Sequence, residues 1–131
     1  MNKNDEIEVK IELMLALKCK LEKIKQWNAE TFPDATPEGQ LAKLDEEFGE
    51  LDEAKTMEER EKELADIFIV LGGLLRWGSR LANYVLNSLL ETMPTEILEK
   101  LLKAIDAKME VNEERTRKGL WKKQPDGSYH H

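Results

Sequence analysis

The feature that most constrains the fold is the segment at residues 64–75, which is apolar on nearly every side of a helix. A helix of this kind has no broad polar face to turn toward water, so other elements must surround it. Its longest unbroken apolar run, residues 67–75, is too short to span a bilayer. The sequence therefore predicts a buried helix at the centre of one domain with one core.

Helical spacing continues over most of the remaining chain. Apolar residues at three- and four-residue steps predict further helices at about 5–30, 37–55 and 94–118. The central helix is predicted to begin near Met57, where the letters TMEE fit a capping box, and to continue to about Leu90. With only four Pro and seven Gly to break the pattern, we expect an all-α, four-helix bundle. It should cover residues 1–120 and be followed by a loose tail at 121–131.

The charge of the chain limits the class of partner. A formal net charge of −7 provides no basic footprint for a nucleic acid polymer. It is compatible with a small phosphorylated ligand whose charge a metal ion bridges. The single cysteine, Cys19, excludes an internal disulfide and fits a reducing cytoplasm. The first residues lack the apolar segment of a signal peptide, and no membrane association is expected.

Two pairs of carboxylates lie on either side of the predicted turn. Glu47 and Glu50 are three residues apart on one helix, and Glu63 and Asp66 on the next, so each pair shares a helix face. In an antiparallel hairpin, residues at one level have position numbers with a constant sum. That sum is the same for Glu50 with Glu63 and for Glu47 with Asp66, and its midpoint falls at the predicted turn. If the two faces are turned inward, all four carboxylates meet.

Carboxylates so close together repel one another unless a cation lies between them. A set of ligands made only of oxygen favours a hard ion, Mg²⁺ or Mn²⁺. Acidic pairs at this spacing are common in a chain with 27 Asp and Glu, and most are solvated helix faces. Asp66 differs because it lies within the apolar segment, where a carboxylate needs a partner. That partner is either the metal ion or a buried Lys or Arg, and the sequence leaves both alternatives open.

The order of these motifs resembles that of a known family. EEFGE at 46–50, ELAD at 63–66 and KMEVNEER at 108–115 are similar to the E-E-x-x-E, E-x-x-D and K-x-x-x-N-x-x-R signatures of the MazG-like, all-α nucleoside triphosphate pyrophosphohydrolases. Trp27, followed by a Phe-Pro loop and then the acidic helix, is also similar to the family. The resemblance extends over roughly residues 20–120.

The resemblance implies Mg²⁺-dependent hydrolysis of a nucleoside triphosphate to the monophosphate and pyrophosphate, in the cleansing of nucleotide pools. Carried over to this chain, the family's metal-binding and catalytic carboxylates are Glu47, Glu50, Glu63 and Asp66. The stretch between Asp66 and Lys108 looks longer than in compact members of the family. This difference leaves the subunit contacts and the choice of substrate open.

Several other residues are candidates for binding the substrate. Lys108, Asn112 and Arg115 share one helix face and suit phosphate oxygens. The alternative for them is a basic last turn that complements the helix dipole. Trp27 is expected to stack on a base, or else to pack as a core residue. Trp121 is expected to be a packing residue.

The remaining expectations concern assembly and alternative functions. Long apolar helices in a four-helix monomer would leave a stripe exposed, so we expect a homodimer or homotetramer. A specialist on the same fold, acting on dUTP or phosphoribosyl-ATP, is one alternative function. A non-catalytic helical protein whose acidic face binds a partner is the other. His130 and His131 end the loose tail and are not expected to be ligands.

Overall fold

A computed structural model of the chain describes residues 2–131. These residues form five α-helices, one short 3₁₀ helix and one two-stranded hairpin: α1 (Lys3–Thr31), α2 (Pro37–Glu53), α3 (Met57–Leu74), the 3₁₀ helix (Leu75–Trp77), α4 (Arg80–Thr92), α5 (Thr95–Arg117), β1 (Lys122–Lys123) and β2 (Tyr129–His130). The predicted all-α class is confirmed. Within residues 2–131, no helix combines the length and the apolar composition that a membrane crossing requires.

The helix predicted at the centre of the fold occupies that place. α3 packs against α1, α2 and α5, and every residue from Ile67 to Leu74 is buried. α2 and α3 run antiparallel because only three residues, 54–56, connect them. Thr56 caps the start of α3 as predicted, since its hydroxyl oxygen accepts a hydrogen bond from the backbone N–H of Glu59 at 3.0 Å. The carboxylate-bearing faces of α2 and α3 are therefore brought together by a tight, capped turn.

The prediction that the central helix continues to about Leu90 is wrong. The helix ends at Leu74, and the chain passes through the 3₁₀ helix to Gly78, whose φ is 67°. Glycine adopts this left-handed conformation without the steric cost of a Cβ atom. Ser79 then caps a new helix, α4, through its side chain. The Gly-Ser pair thus divides the expected helix, which gives five helices instead of four.

The C-terminal tail, predicted to be loose, forms an ordered hairpin. β1 and β2 pair antiparallel, and the ring of Tyr129 lies 4.5 Å from that of Phe32, centroid to centroid. Gly127, at the hairpin turn, contacts the start of α2 so closely that a Cβ atom on Gly39 would lie 2.3 Å from the Gly127 carbonyl oxygen. Contacts between distant parts of the sequence therefore hold the tail in place, and its turn-rich composition does not reveal them.

The apolar stripe of α1 is buried only in its second half. Leu21 and Ile24 belong to the core, whereas Ile7, Ile11 and Leu15 are 52%, 50% and 61% exposed. Exposed apolar side chains grouped on one element are typical of surfaces that another chain covers. The expected homo-oligomer remains a prediction.

Gly72 allows α1 and α3 to approach closely, since a Cβ atom on it would lie 2.9 Å from Cγ2 of Ile24. We expect Gly72→Ala to lower the free energy of unfolding by about 1–3 kcal/mol through overpacking. Urea denaturation measures this loss. Gly49→Ala is the matched control, because a Cβ atom there meets nothing within 4 Å. It should raise the free energy of unfolding by about 1 kcal/mol, as alanine favours a helix. Equal effects of the two substitutions would contradict the close contact.

Candidate metal centre and ligand pocket

Four carboxylates from α2 and α3 converge, as their numbering predicted. One oxygen from each of Glu47, Glu50, Glu63 and Asp66 lies within 4.8 Å of the other three. Glu47 is buried, Glu63 and Asp66 are half-buried, and Glu50 is exposed. Spacing of three residues places both members of each pair on the face turned toward the other helix. We call these four residues the carboxylate cluster.

Removal from water and mutual repulsion raise the pKa values of Glu47, Glu63 and Asp66. Burial raises the pKa of Glu47 from 4.5 to about 8, and the charge of Asp66 and the neighbouring Glu50 add to the shift. Burial also raises the pKa of Glu63 from 4.5 to about 7, with Glu50 and Asp66 as further causes. The pKa of Asp66 is raised by burial, although the Lys108 ammonium group opposes the shift. Without a cation, the cluster therefore keeps protons near neutral pH.

Two oxygens of the carboxylate cluster have no hydrogen-bond partner. Within residues 2–131, the fully buried side-chain polar atoms that lack a hydrogen-bond partner are Glu47 Oε2 and Glu63 Oε2. An unpaired buried oxygen is costly, and a cation would satisfy both. The donors are all carboxylate oxygens, which is the ligand set that hard divalent cations prefer. These four residues could hold a metal ion, as predicted.

Lysine side chains lie against the same carboxylates. Lys108 Nζ is 3.3 Å from Asp66 Oδ2, and Lys43 Nζ is 3.4 Å from Glu47 Oε1. Of the two partners that the sequence left open for Asp66, the structure therefore shows the lysine, placed beside the candidate metal centre. Lys43 was not among the predicted site residues. Its spacing of four residues from Glu47 was the signal that could have identified it.

The carboxylate cluster lines a pocket of about 370 Å³. The structure brings all eight predicted site residues to this pocket: Trp27, Glu47, Glu50, Glu63, Asp66, Lys108, Asn112 and Arg115. Nη1 of Arg115 donates to Oδ1 of Asn112 at 3.1 Å, so these two side chains are held as a pair. Lys108 and Asn112 lie one turn apart on α5, on the face predicted from their spacing.

Aromatic rings line another part of the pocket. Trp27, Phe32 and Trp121 pack edge to face, with ring centroids 5.1 to 6.3 Å apart. Tyr129 lies against Phe32 and also lines the pocket. Trp121, which was expected only to pack, therefore packs and contributes to the pocket wall. Rings of this kind offer apolar surface to a planar ligand.

The C-terminal hairpin contributes pocket residues that sequence reasoning missed. Tyr129, His130 and His131 all line the pocket. Nε2 of His130 lies 3.2 Å from Oε2 of Glu46, which ties the hairpin to α2. Neither histidine belongs to the carboxylate cluster. No local pattern in the sequence signals these contacts, because they join the end of the chain to the second helix.

Arg76 joins the end of α1 to the 3₁₀ helix. Its Nη1 donates to the carbonyl oxygens of Asn28 and Phe32 at 3.3 and 2.9 Å, and to Asn28 Oδ1 at 3.0 Å.

We expect Arg76→Ala to lower the free energy of unfolding by about 2 kcal/mol, because partly buried acceptors lose a charged donor. Urea denaturation again measures the change. Arg80→Ala, at an exposed position, should change it by less than about 0.5 kcal/mol. An effect of Arg76→Ala as small as that would contradict the role of these bonds.

The pocket combines three kinds of side chain: converging carboxylates, cationic groups and aromatic rings. Comparisons of the chain with protein-family models, with curated proteins and with solved structures found no match.

Proposed function

We propose that the protein is a Mg²⁺-dependent nucleoside triphosphate pyrophosphohydrolase of the MazG-like, all-α type, with Mn²⁺ as an alternative ion. It converts a nucleoside or deoxynucleoside triphosphate to the monophosphate and pyrophosphate. The observation that carries the proposal is that the four converging carboxylates lie in the same pocket as cationic and aromatic side chains. A metal-bound nucleotide presents the matching parts: a divalent cation, a chain of phosphates and a planar base.

The carboxylate cluster would hold the metal ion. Glu47 and Glu63 each have a buried oxygen without a hydrogen-bond partner, and an ion would replace the protons that their raised pKa values retain. Bound Mg²⁺ would neutralise phosphate charge and polarise phosphoryl oxygens.

Three cationic side chains in the pocket would bind the phosphates. Lys43 and Lys108 stand beside the carboxylate cluster at 3.4 and 3.3 Å from their carboxylate partners. Arg115, held by Asn112, presents a guanidinium group that suits phosphate oxygens. Lys108 would exchange part of its contact with Asp66 for a phosphate oxygen when the substrate binds.

In the reaction, a water oxygen forms a bond to the α-phosphorus, and the bond from that phosphorus to the oxygen bridging to the β-phosphorus breaks. Pyrophosphate leaves with the electron pair of the broken bond. A carboxylate of the cluster accepts the proton of the water. Glu46, which contacts His130 at 3.2 Å, is a further candidate to assist from outside the cluster.

The proposal includes a homo-oligomer. The half-exposed Ile7, Ile11 and Leu15 on α1 would be covered by a second copy of the chain. Size-exclusion chromatography with light scattering distinguishes a dimer or tetramer from a monomer. A monomer at all accessible concentrations would contradict this part of the proposal.

A panel of the common NTPs and dNTPs, incubated with the purified chain and Mg²⁺, tests the activity. Pyrophosphate and a nucleoside monophosphate should appear in equal amounts, and chelation of the metal should stop their release. Release of orthophosphate in place of pyrophosphate, or no product from any nucleotide with Mg²⁺ or Mn²⁺, would contradict the proposal. The second result would favour a non-catalytic protein whose acidic residues bind a partner.

A further inference from the structure

Two side-chain amides lie next to each other in the pocket. Asn28 on α1 and Gln40 on α2 both line it. Both also lie against Gly73 of α3, where a Cβ atom would be 2.7 Å from Asn28 Nδ2 and 2.6 Å from Gln40 Nε2. Because Gly73 has no side chain, both amides can pack against this part of α3.

The orientation of the Asn28 amide is imposed by Arg76. Nη1 of Arg76 lies 3.0 Å from Asn28 Oδ1, and a guanidinium group can only donate hydrogen bonds. The oxygen of the amide must therefore face Arg76, and the NH₂ group must face away from it. Asn28 is only 3% exposed, so packing also keeps the side chain in this orientation.

The Gln40 amide is oriented by a partner of the opposite kind. Its Nε2 donates to the carbonyl oxygen of Val70 at 3.2 Å. A backbone carbonyl can only accept, so the nitrogen of the amide must face Val70. Oε1 of Gln40 is therefore the atom that remains for a ligand.

The free ends of the two amides are a donor and an acceptor that the protein does not use. In the described part of the chain, no partner takes the hydrogens of Asn28 Nδ2 or donates to Gln40 Oε1. Neither atom is among the sealed polar atoms without a partner, which belong to Glu47 and Glu63. Both atoms therefore keep some contact with solvent, and both residues line the same pocket.

The amides lie at a useful distance from the carboxylate cluster. Gln40 precedes Glu47 by seven residues on the same face of α2, which places their backbones about 10 Å apart along the helix axis. A nucleotide with its phosphates at the cluster extends its base over about that length. The nearby rings of Trp27 and Phe32 would border the flat surface of such a base.

We propose that Asn28 and Gln40 read the hydrogen-bonding edge of the nucleotide base. Asn28 Nδ2 donates to an acceptor on the base, and Gln40 Oε1 accepts from a neighbouring donor on it. The inference rests on the proposed function in one respect, that the ligand of the pocket is a nucleotide. A site built to hydrogen-bond a ligand strongly rejects an analogue that leaves its polar groups unpaired. Arg76 is a positioning residue, since it acts only through Asn28.

Calorimetric titration of the full chain with five deoxynucleoside monophosphates, those of A, C, G, T and U, tests the proposal in the presence of Mg²⁺. 2-Deoxyribose 5-phosphate is the probe without a base. At least one monophosphate should bind about tenfold or more tightly than this probe, and the five should differ from one another. Binding of all five monophosphates no more tightly than the probe would overturn the proposal.

Asn28→Asp removes the unpaired donor while its carboxylate still accepts from Arg76. The substitution should weaken binding of the preferred monophosphate by about tenfold or more, relative to binding of the abasic probe. Asn87→Asp is the matched control, because it adds the same charge at an exposed position of α4 and should leave the preference unchanged. An unaltered preference in a folded Asn28→Asp variant would overturn the proposal. If Asn28→Asp does not fold, Gln40→Met removes the acceptor at similar length and should also reduce the preference.

These binding measurements do not depend on hydrolysis. Suppose that binding is base-selective, that Asn28→Asp abolishes this selectivity, and that no triphosphate yields pyrophosphate. These results would contradict the proposed function and support base recognition by Asn28 and Gln40. Pyrophosphate release with no difference between bases would support the proposed function and overturn the reading of the base.

Discussion

Asp66→Asn is expected to lower Mg²⁺-dependent pyrophosphate release by about a thousandfold or more in kcat. Asp66 contributes one of the four oxygens that lie within 4.8 Å of one another, and an uncharged amide attracts a hard divalent cation more weakly than a carboxylate does. The substitution also leaves Lys108 without the carboxylate that now lies 3.3 Å away. Asparagine has nearly the same shape as aspartate, so the helical circular dichroism should be retained. Steady-state assays with pyrophosphate detection measure the loss.

Asp45→Asn is the matched control for this prediction. Asp45 lies on the exposed face of α2, two residues before Glu47, and its substitution makes the same change in charge without touching the carboxylate cluster. It should retain activity within about twofold, as an exposed substitution away from special contacts does. Glu47→Gln, inside the cluster, should lose activity as Asp66→Asn does. Full activity in either cluster variant would rule out the assigned metal centre.

The apparent affinity for Mg²⁺ is expected to rise by roughly 100-fold or more between pH 6 and pH 8, since each retained proton must leave before the ion binds. Burial holds the pKa of Glu47 at about 8 and that of Glu63 at about 7, and both groups therefore titrate in this interval. Titrations of the melting temperature with Mg²⁺ at several pH values measure the affinity, because an ion that binds only the native state raises it.

The same groups set the direction of the change in stability without the ion. In the unfolded chain, Glu47 and Glu63 lose their protons near the ordinary pKa of 4.5, whereas in the folded chain they keep them until about pH 8 and 7. The folded state therefore binds more protons between these values, and stability must fall as the pH rises through them. Metal-free protein should thus melt at a lower temperature at pH 8.5 than at pH 5.5, and Mg²⁺ should reverse the loss.

Glu47→Gln provides the control for both measurements, because it removes the group with the largest shift. Its metal-free melting temperature should depend less on pH than that of the wild type. Glu53→Gln, at the exposed end of α2, should leave the dependence unchanged. An Mg²⁺ affinity that does not vary between pH 6 and 8 would show that these carboxylates are not the ligands.

Much of the fold followed from local pattern. The buried helix at the centre, the capped turn at Thr56 and the ends of α1, α2 and α5 follow from the spacing of apolar residues and from capping chemistry, which act over a few residues. The break at Gly78 was missed although its signal is local. The apolar spacing continues across it, so periodicity alone predicts one helix where the Gly-Ser pair separates two.

The residues of the candidate site were likewise predictable only in part. Glu47, Glu50, Glu63 and Asp66 could be placed together because a short hairpin fixes which residues are level. Lys108 and Arg115, far along the chain, could be associated with the cluster only by resemblance to a family. Asn28 and Gln40 were missed because their partners, Arg76 and Val70, lie on other elements. Lys43 was missed although its partner Glu47 lies one turn away on the same helix.

By itself, therefore, the sequence determined the all-α class, the buried α3 and the four carboxylates that meet across one turn, because each depends on contacts local in sequence. Only the tertiary structure decided which side chains complete the pocket. It folds the C-terminal hairpin over the start of α2 and uses Arg76 to fix the amide of Asn28. These contacts join segments whose separation along the chain carries no periodic signal, so they are decided when the helices pack.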